Sequence, residues 1–259
     1  MKYQNISSVV SSNICTITIE RMSKMNALNI ATLQEIKHAI TAAENAPLIF
    51  GIILRGEGEK AFAAGADIAE FANFSSKEAE KMSRDGHEVM NTIAACTKPV
   101  IAAVFGFALG GGCELAMACH FRVAAENAKF GQPEVSLGVP PGYGGTQRLV
   151  QLIGKARALE FLLTTEVIRA ENALLWGLAN KVVPIEEVIP TAVSMINKIA
   201  TMSPDAVAKV VTCVNAYFNE QENGMELEIK SFSAAFSTQD FKRGTTAFIN
   251  KIKADFRES

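Results

Sequence analysis

Between Val100 and Ala118 the chain runs from a buried, partly β-branched stretch, VIAAVF, through Gly110, Gly111 and Gly112 into CELAMA, an apolar segment with one glutamate. This stretch constrains the fold more than any other. It requires a strand, a closely approaching backbone and then a helix with few faces left for solvent. From Phe107 to Phe121 the whole segment looks like buried helix, which makes both the glycines and Glu114 unexpected. A helix N-terminus presents unpaired N–H groups and a partial positive charge, and glycine lets a ligand come close to that backbone. The combination suits an anion or an oxyanion held by main-chain donors. A tight strand–helix connection would also use glycine, so the glycines alone do not decide. The run is not G-x-G-x-x-G and no G-K-[ST] follows, which excludes dinucleotide and P-loop readings. Glu114 lies in the first turn of the expected helix with Cys113, Leu115, Ala116, Met117 and Ala118 around it. A carboxylate half-buried in such company has a raised pKa, which suits acid–base work.

The rest of the sequence narrows the class. The chain has 259 residues, 49% hydrophobic, with a formal net charge of −2. That is enough for one large α/β domain or a main domain with an appendage. Lys and Arg are scattered rather than striped, so no nucleic-acid face is expected. Cys15, Cys96, Cys113, Cys119 and Cys213 form no C-x-x-C pair and read as reduced thiols. MKYQNISSVV shows neither an apolar h-region nor an Arg-rich presequence, and no stretch is long and apolar enough to span a bilayer. A cytoplasmic location is therefore expected, with no membrane and no nucleic-acid partner.

Periodicity predicts strands over Ile14–Glu20, Leu48–Leu54, Val100–Phe105, Phe121–Ala125 and Lys181–Val183. It predicts helices over Ile30–Asn45 and Ser76–Ala95, the latter with Met82, Val89, Met90 and Ile93 inward. Gly56–Gly65 and AKFGQPEVSLGVPPGYGG read as loops. Helical patterns resume at Thr146, dominate from Ala156, and fill Pro204 to Phe256. Strand–helix units recur in the first half without a clear sequence repeat.

Glu134, in GQPEVSLG, would alone be a surface loop residue. With one strand expected between it and Glu114, the two can converge, and paired carboxylates facing one water divide the roles of acid and base. AFAAGADI, Ala61–Ile68, is a second small-residue loop that offers another backbone donor. Pro140–Gly145 is a rigid turn that either walls a pocket or starts the next helix. His38 falls on a polar helix face, and His120 ends the Glu114 helix, where a cation is favoured. No histidine, His87 included, shows a nucleophile partner.

MNALN, AFAAGADI, KPVIAAVFGFALGGGCELAMAC, FGQPEVSLG, PGYGGTQRL and the C-terminal FSTQDFKRGTTAFINKIKADF, taken together and in this order, resemble the crotonase superfamily, above all its short-chain enoyl-CoA hydratases. The resemblance covers nearly the whole chain. It implies an α/β fold, a crotonase-like spiral of β/β/α units over residues 1–200, with a C-terminal helical trimerisation region over 201–259. It implies a lyase of fatty acid metabolism, as in β-oxidation, that hydrates short-chain trans-2-enoyl-CoA to 3-hydroxyacyl-CoA. No metal or cofactor is expected beyond the coenzyme A carried by the substrate. The expected partners are the acyl-CoA thioester and further copies of the chain, as a homotrimer or a dimer of trimers (homohexamer). Carried over by position, Ala66 and Gly111 match the backbone donors of the family's oxyanion hole, and Glu114 and Glu134 its catalytic pair. Gly142 matches a glycine lining the water site. Asp67, Ile68 and Ala69 match the stretch along the acyl-CoA, and Ala27 and Leu28 a loop near the CoA nucleotide. Lys251 matches a lysine that reaches a CoA phosphate from a neighbouring subunit. Met22, Phe105 and His120 depart from the usual Pro, Asn and Asp, and none of the three removes a donor or a carboxylate. An enoyl-CoA isomerase, an acyl-CoA hydrolase and an RNA-binding relative are the alternatives. The presence of both glutamates favours hydration over the first, and the missing basic stripe speaks against the last.

Overall fold

The computed structural model describes residues 2–257. Its ten strands form two sheets. The larger has the order β1 (Ile6–Ser11), β2 (Ile14–Ile19), β3 (Gly51–Gly56), β5 (Val100–Val104), β7 (Phe121–Ala125), β10 (Lys181–Val183). It is parallel throughout except for the β1–β2 hairpin. The smaller has the order β4 (Ala61–Ala63), β6 (Phe107–Leu109), β8 (Lys129–Gly131), β9 (Ile168–Arg169).

The chain visits the two sheets alternately. β3 leads to β4, then to helices α2 (Ile68–Phe71) and α3 (Ser76–Ala94). β5 leads to β6 and helix α4 (Gly111–Ala118). β7 leads to β8, then to helices α5 (Gly145–Ile153) and α6 (Lys155–Thr164). Each turn lays one strand in each sheet before its helix, which is the expected β/β/α spiral. The repeat is one of topology, so it left no sequence repeat to read.

The central strands read as continuous apolar runs because both of their faces are covered. Ile52, Leu54, Ala102 and Val104 point into the main core, beside Ile36 and Ile40 of helix α1 (Ile30–Asn45) and Val89, Met90 and Ile93 of α3. Ile53, Ile101, Ala103 and Val123 face the other way, against Val188, Ala192 and Ile196 of helix α8 (Val188–Ile199). Helix starts follow local chemistry: Asn29 accepts from the Thr32 N–H at 2.8 Å to begin α1, and Ser75 and Glu78 form a capping box on α3. Helix α7 (Ala170–Trp176) links β9 to β10, and helices α9 (Pro204–Ala216), α10 (Gly224–Ala235) and α11 (Gln239–Ile249) complete the chain. Among the described residues no helix is long and apolar enough to cross a membrane.

Several expectations need correction. The strand expected from Leu48 begins at Gly51, and Leu48 itself is exposed, because Pro47–Phe50 turn the chain from α1 into β3. Met82 is only partly buried, at the edge of the core. The segment from Phe107 is not all helix, since Phe107–Leu109 pair as β6. The two expected loops contain β4 and β8. His120 does not carry a cation at a helix end. Its Nδ1 accepts from the Val100 N–H at 3.0 Å and its Nε2 lies 3.1 Å from the Ala94 carbonyl, and burial pushes its pKa down, so it is a neutral bridge between two backbones.

Candidate active site

The three glycines before Glu114 do different things. Gly110 has φ +48°, where a side chain is strained, and a Cβ on it would lie 2.9 Å from Oε1 of Glu134. A Cβ on Gly112 would come within 2.0 Å of the Ala63 carbonyl oxygen, so α4 packs directly on the backbone of β4. Gly111 opens α4, and the position its Cβ would take is 3.6 Å from the Ala66 nitrogen. The GADI and GGGCE segments therefore bring the Ala66 nitrogen close to the start of α4 at Gly111. Among the described residues neither the Ala66 nor the Gly111 N–H has a protein acceptor.

Glu114 is 1% exposed, because all eight residues of α4 are buried. Its Oε1 accepts from the Tyr143 N–H at 2.8 Å and the Gly145 N–H at 2.7 Å, at the N-terminus of α5. The turn of Pro140–Gly145 thus starts a helix and also ties down this carboxylate. Among the described residues no protein donor reaches Oε2. Burial pushes the Glu114 pKa up to about 7, against the pull of those two N–H groups, and the nearby Glu134 charge adds to the rise.

Glu134 opens a 3-10 turn, Glu134–Leu137, closed by Gly138 at φ +79°. Two strands, β7 and β8, separate it from α4, not the one expected. The carboxyl is half-buried and its pKa is raised by that burial. Gln132, with its amide turned so that both ends find partners, donates to both Glu134 oxygens at 3.0 Å. Glu134 reaches the space beside Gly110 while Glu114 lies 3.0 Å from where a Cβ on Gly145 would be. The two carboxylates therefore flank the start of α4, as the spacing suggested.

The MNALN loop is stitched to GADI. The Leu28 N–H donates to the Gly65 carbonyl and the Asp67 N–H to the Leu28 carbonyl, both at 2.8 Å. Asp67 receives Lys24 Nζ and Arg21 at 2.8 Å each, and these hydrogen bonds hold its carboxyl below the usual range. Arg21 also donates to the Ala27 carbonyl. Buried Asn26, at φ +57°, donates to the Glu57 and Ala61 carbonyls and fixes the loop on β4. Ile68 and Ala69 are exposed at the start of α2. Gly142 leaves open space where its Cβ would stand, and its carbonyl accepts from Ser83 Oγ at 2.6 Å. Lys251 is exposed beyond α11 at φ +54°, and no hydrogen bond or ion pair joins it to this site among the described residues.

Sequence reasoning overlooked Gln132, Arg148, Arg21 and the ring of Tyr143. Arg148 donates to the Tyr143 carbonyl at 3.0 Å and to Asn91 at 2.7 Å, which holds the turn that binds Glu114. Its place four residues after Gly144, on the first turn of α5, was the available signal. Of the departures, Phe105 is a buried core residue beneath the Arg55 guanidinium, and Met22 lies exposed, so neither touches the carboxylates.

Residues 10–259 match the family described as Enoyl-CoA hydratase/isomerase. The chain is 47% identical over 257 residues to a crotonyl-CoA hydratase of Syntrophomonas wolfei, covering 99% of each chain. It is 42% identical over 256 residues to a short-chain-enoyl-CoA hydratase of Clostridium acetobutylicum, covering 98% of each. Among solved structures, an enoyl-CoA hydratase from Bacillus anthracis superposes with a TM-score of 0.91 at 35% identity, over 99% of this chain and all of that one.

Proposed function

The chain belongs to the enoyl-CoA hydratase/isomerase family, and on that premise we propose that it is a hydro-lyase adding water across the 2,3 double bond of short-chain trans-2-enoyl-CoA, reversibly, to give 3-hydroxyacyl-CoA. One observation carries the reading: two backbone N–H groups without acceptors among the described residues lie near two carboxyls whose pKa values are both raised by burial. The thioester oxygen sits between the Ala66 and Gly111 N–H groups. Glu114 Oε2 takes a proton from water as the water oxygen bonds C3. The π electrons move toward C1 and its oxygen, where the two N–H groups hold the growing charge. Glu134 then gives its proton to C2. The reverse sequence is dehydration. The pair ends with its proton on the other carboxyl, and exchange with solvent resets it.

The remaining assignments are supported by position. Asp67, Ile68 and Ala69 run along the acyl-CoA, next to the Ala66 donor. Ala27 and Leu28, bonded to that stretch, lie near the nucleotide. Gly142 lines the water site, facing open space beside the turn that holds Glu114. The coenzyme A of the substrate is the only cofactor the chemistry needs. Residues 201–259 form an assembly region for a trimer or a dimer of trimers, in which Lys251 reaches a CoA phosphate of a neighbouring copy. The exposed apolar side chains of α10 and α11 support this. Four buried thiols, Cys15, Cys96, Cys113 and Cys119, fit a cytoplasmic location.

The test is a pair of shape-preserving substitutions. Glu114→Gln and Glu134→Gln should each lower kcat for crotonyl-CoA hydration by about 10²–10⁴, with KM little changed. Near-normal hydration by Glu114→Gln, with loss only in Glu134→Gln, would instead favour a single-carboxylate isomerase or hydrolase.

A further inference from the structure

Gly86 sits in the middle of α3, where glycine costs about 1 kcal/mol relative to alanine. The reason is packing: a Cβ there would lie 2.1 Å from Cδ1 of Tyr143. The other edge of the same ring, Cδ2 and Cε2, is 3.3 Å from where a Cβ on Gly111 would be, and the Ala66 nitrogen is 3.6 Å from that point. The ring thus stands between α3 and the two N–H donors. Tyr143 is 4% exposed, yet its hydroxyl has no hydrogen-bond partner among the described residues. No side-chain oxygen there is both fully buried and unpartnered, so the hydroxyl reaches open space while the ring is walled in.

We propose that the Tyr143 ring, seated against Gly86, closes the acyl space just beyond the thioester and limits the enzyme to substrates of about four carbons. The inference rests on the hydratase reading and adds to it the residue that sets chain length. An acyl chain whose carbonyl oxygen lies on the Ala66 and Gly111 N–H groups begins within contact distance of this ring. A longer chain needs the volume that the ring fills. A smaller side chain at position 143 keeps the backbone N–H that binds Glu114 and removes only the wall. Gly86 is part of the device, because any side chain on α3 there would push the ring into the donors.

The test compares kcat/KM for crotonyl-CoA and the eight-carbon trans-2-enoyl-CoA in the wild type, Tyr143→Ala, Tyr143→Leu and Tyr143→Phe. The wild type should prefer the short substrate by roughly tenfold or more, a discrimination within reach of a hydrophobic pocket. Tyr143→Ala and Tyr143→Leu should each raise the long-to-short ratio by about tenfold, while Tyr143→Phe, which keeps the ring, leaves it near the wild-type value. Tyr143→Leu covers the case in which the alanine variant does not fold. A wild-type ratio near one overturns the proposal, as does a ratio unmoved in both smaller variants. Calorimetric titration with butyryl-CoA and octanoyl-CoA reads the same wall without turnover. A wild type that binds butyryl-CoA selectively but hydrates nothing would fail the hydratase reading and leave the wall supported.

Discussion

Glu114 binds two N–H groups at the start of α5 and still holds its proton to about pH 7, so burial outweighs the hydrogen bonds. With Glu134 also raised and the two charges repelling, the pair titrates as a unit. Hydration needs one carboxylate to accept a proton and one carboxyl to give one, so the active form carries a single shared proton. Below the first macroscopic pKa both groups are protonated and no base is present. Above the second, near 7, both are ionised and no acid is present. The expected profile of kcat/KM against pH for crotonyl-CoA is therefore a bell whose alkaline limb falls near or above neutrality. Removing the partner's charge takes away one of the causes that raise the Glu114 pKa, although burial, the largest, remains, and it also removes the acid whose ionisation gives the alkaline limb. The residual activity of Glu134→Gln should accordingly rise with pH to a plateau and show no descending limb. A descending limb that survives in Glu134→Gln would assign the alkaline loss to another group. Glu114 was legible in the sequence because its apolar neighbours leave it no exposed direction. Tyr143, Arg148 and Gln132 were not, because their parts are set by contacts with residues far along the chain.

The element that matters most is α4, eight residues long and pressed on β4 without an intervening side chain. Gly112 allows this, and the atom its Cβ would strike, the Ala63 carbonyl oxygen, belongs to the backbone and cannot rotate away. Gly112→Ala must then lift the start of α4 from the small sheet, which moves Gly111 relative to Ala66. The expected cost is about 1–3 kcal/mol of stability, seen as a lower Tm. A fall in kcat larger than any rise in KM should accompany it, because the donors proposed at Ala66 and Gly111 would act mainly in the transition state. Unchanged Tm and kcat would mean that α4 and β4 can part without disturbing the donors. This docking also shows where sequence reading stops. Helix α1, strand β7 and strand β10 lie where their periodicity put them. The small sheet went unread because its strands are two or three residues long, below any period-2 signal, and exist only by pairing with each other. The loops that resemblance marked as functional are the ones threaded through that sheet.

At the scale of the whole molecule, the spiral buries its core fully while the C-terminal helices leave theirs half-finished. Phe232 on α10 is 68% exposed, and Phe248 and Ile249 at the end of α11 are 85% and 77% exposed. Large apolar side chains exposed on these helices suit the proposed assembly, whereas single scattered ones need no explanation. The family resemblance gives the occupant as further copies of this chain. Sedimentation at working concentration should then show trimers or hexamers, and Phe232→Glu with Phe248→Glu should yield smaller species. The proposed assembly also bears on substrate binding. Lys251 is exposed beyond α11, with no hydrogen bond or ion pair to Glu114 or Glu134 among the described residues, and a phosphate of coenzyme A bound to a neighbouring copy is the anion proposed for it. A cation that attracts a phosphate far from the reacting carbons stabilises substrate and transition state alike, and such uniform binding shows in KM and not in kcat. Lys251→Glu should therefore raise KM for crotonyl-CoA severalfold at low salt, with the gap narrowing as added salt screens the charge. The dissociated double variant should show a raised KM even with Lys251 intact, because the lysine then has no neighbour to serve. A Lys251→Glu effect confined to kcat, or a dissociated form with wild-type KM, would remove Lys251 from the binding of coenzyme A.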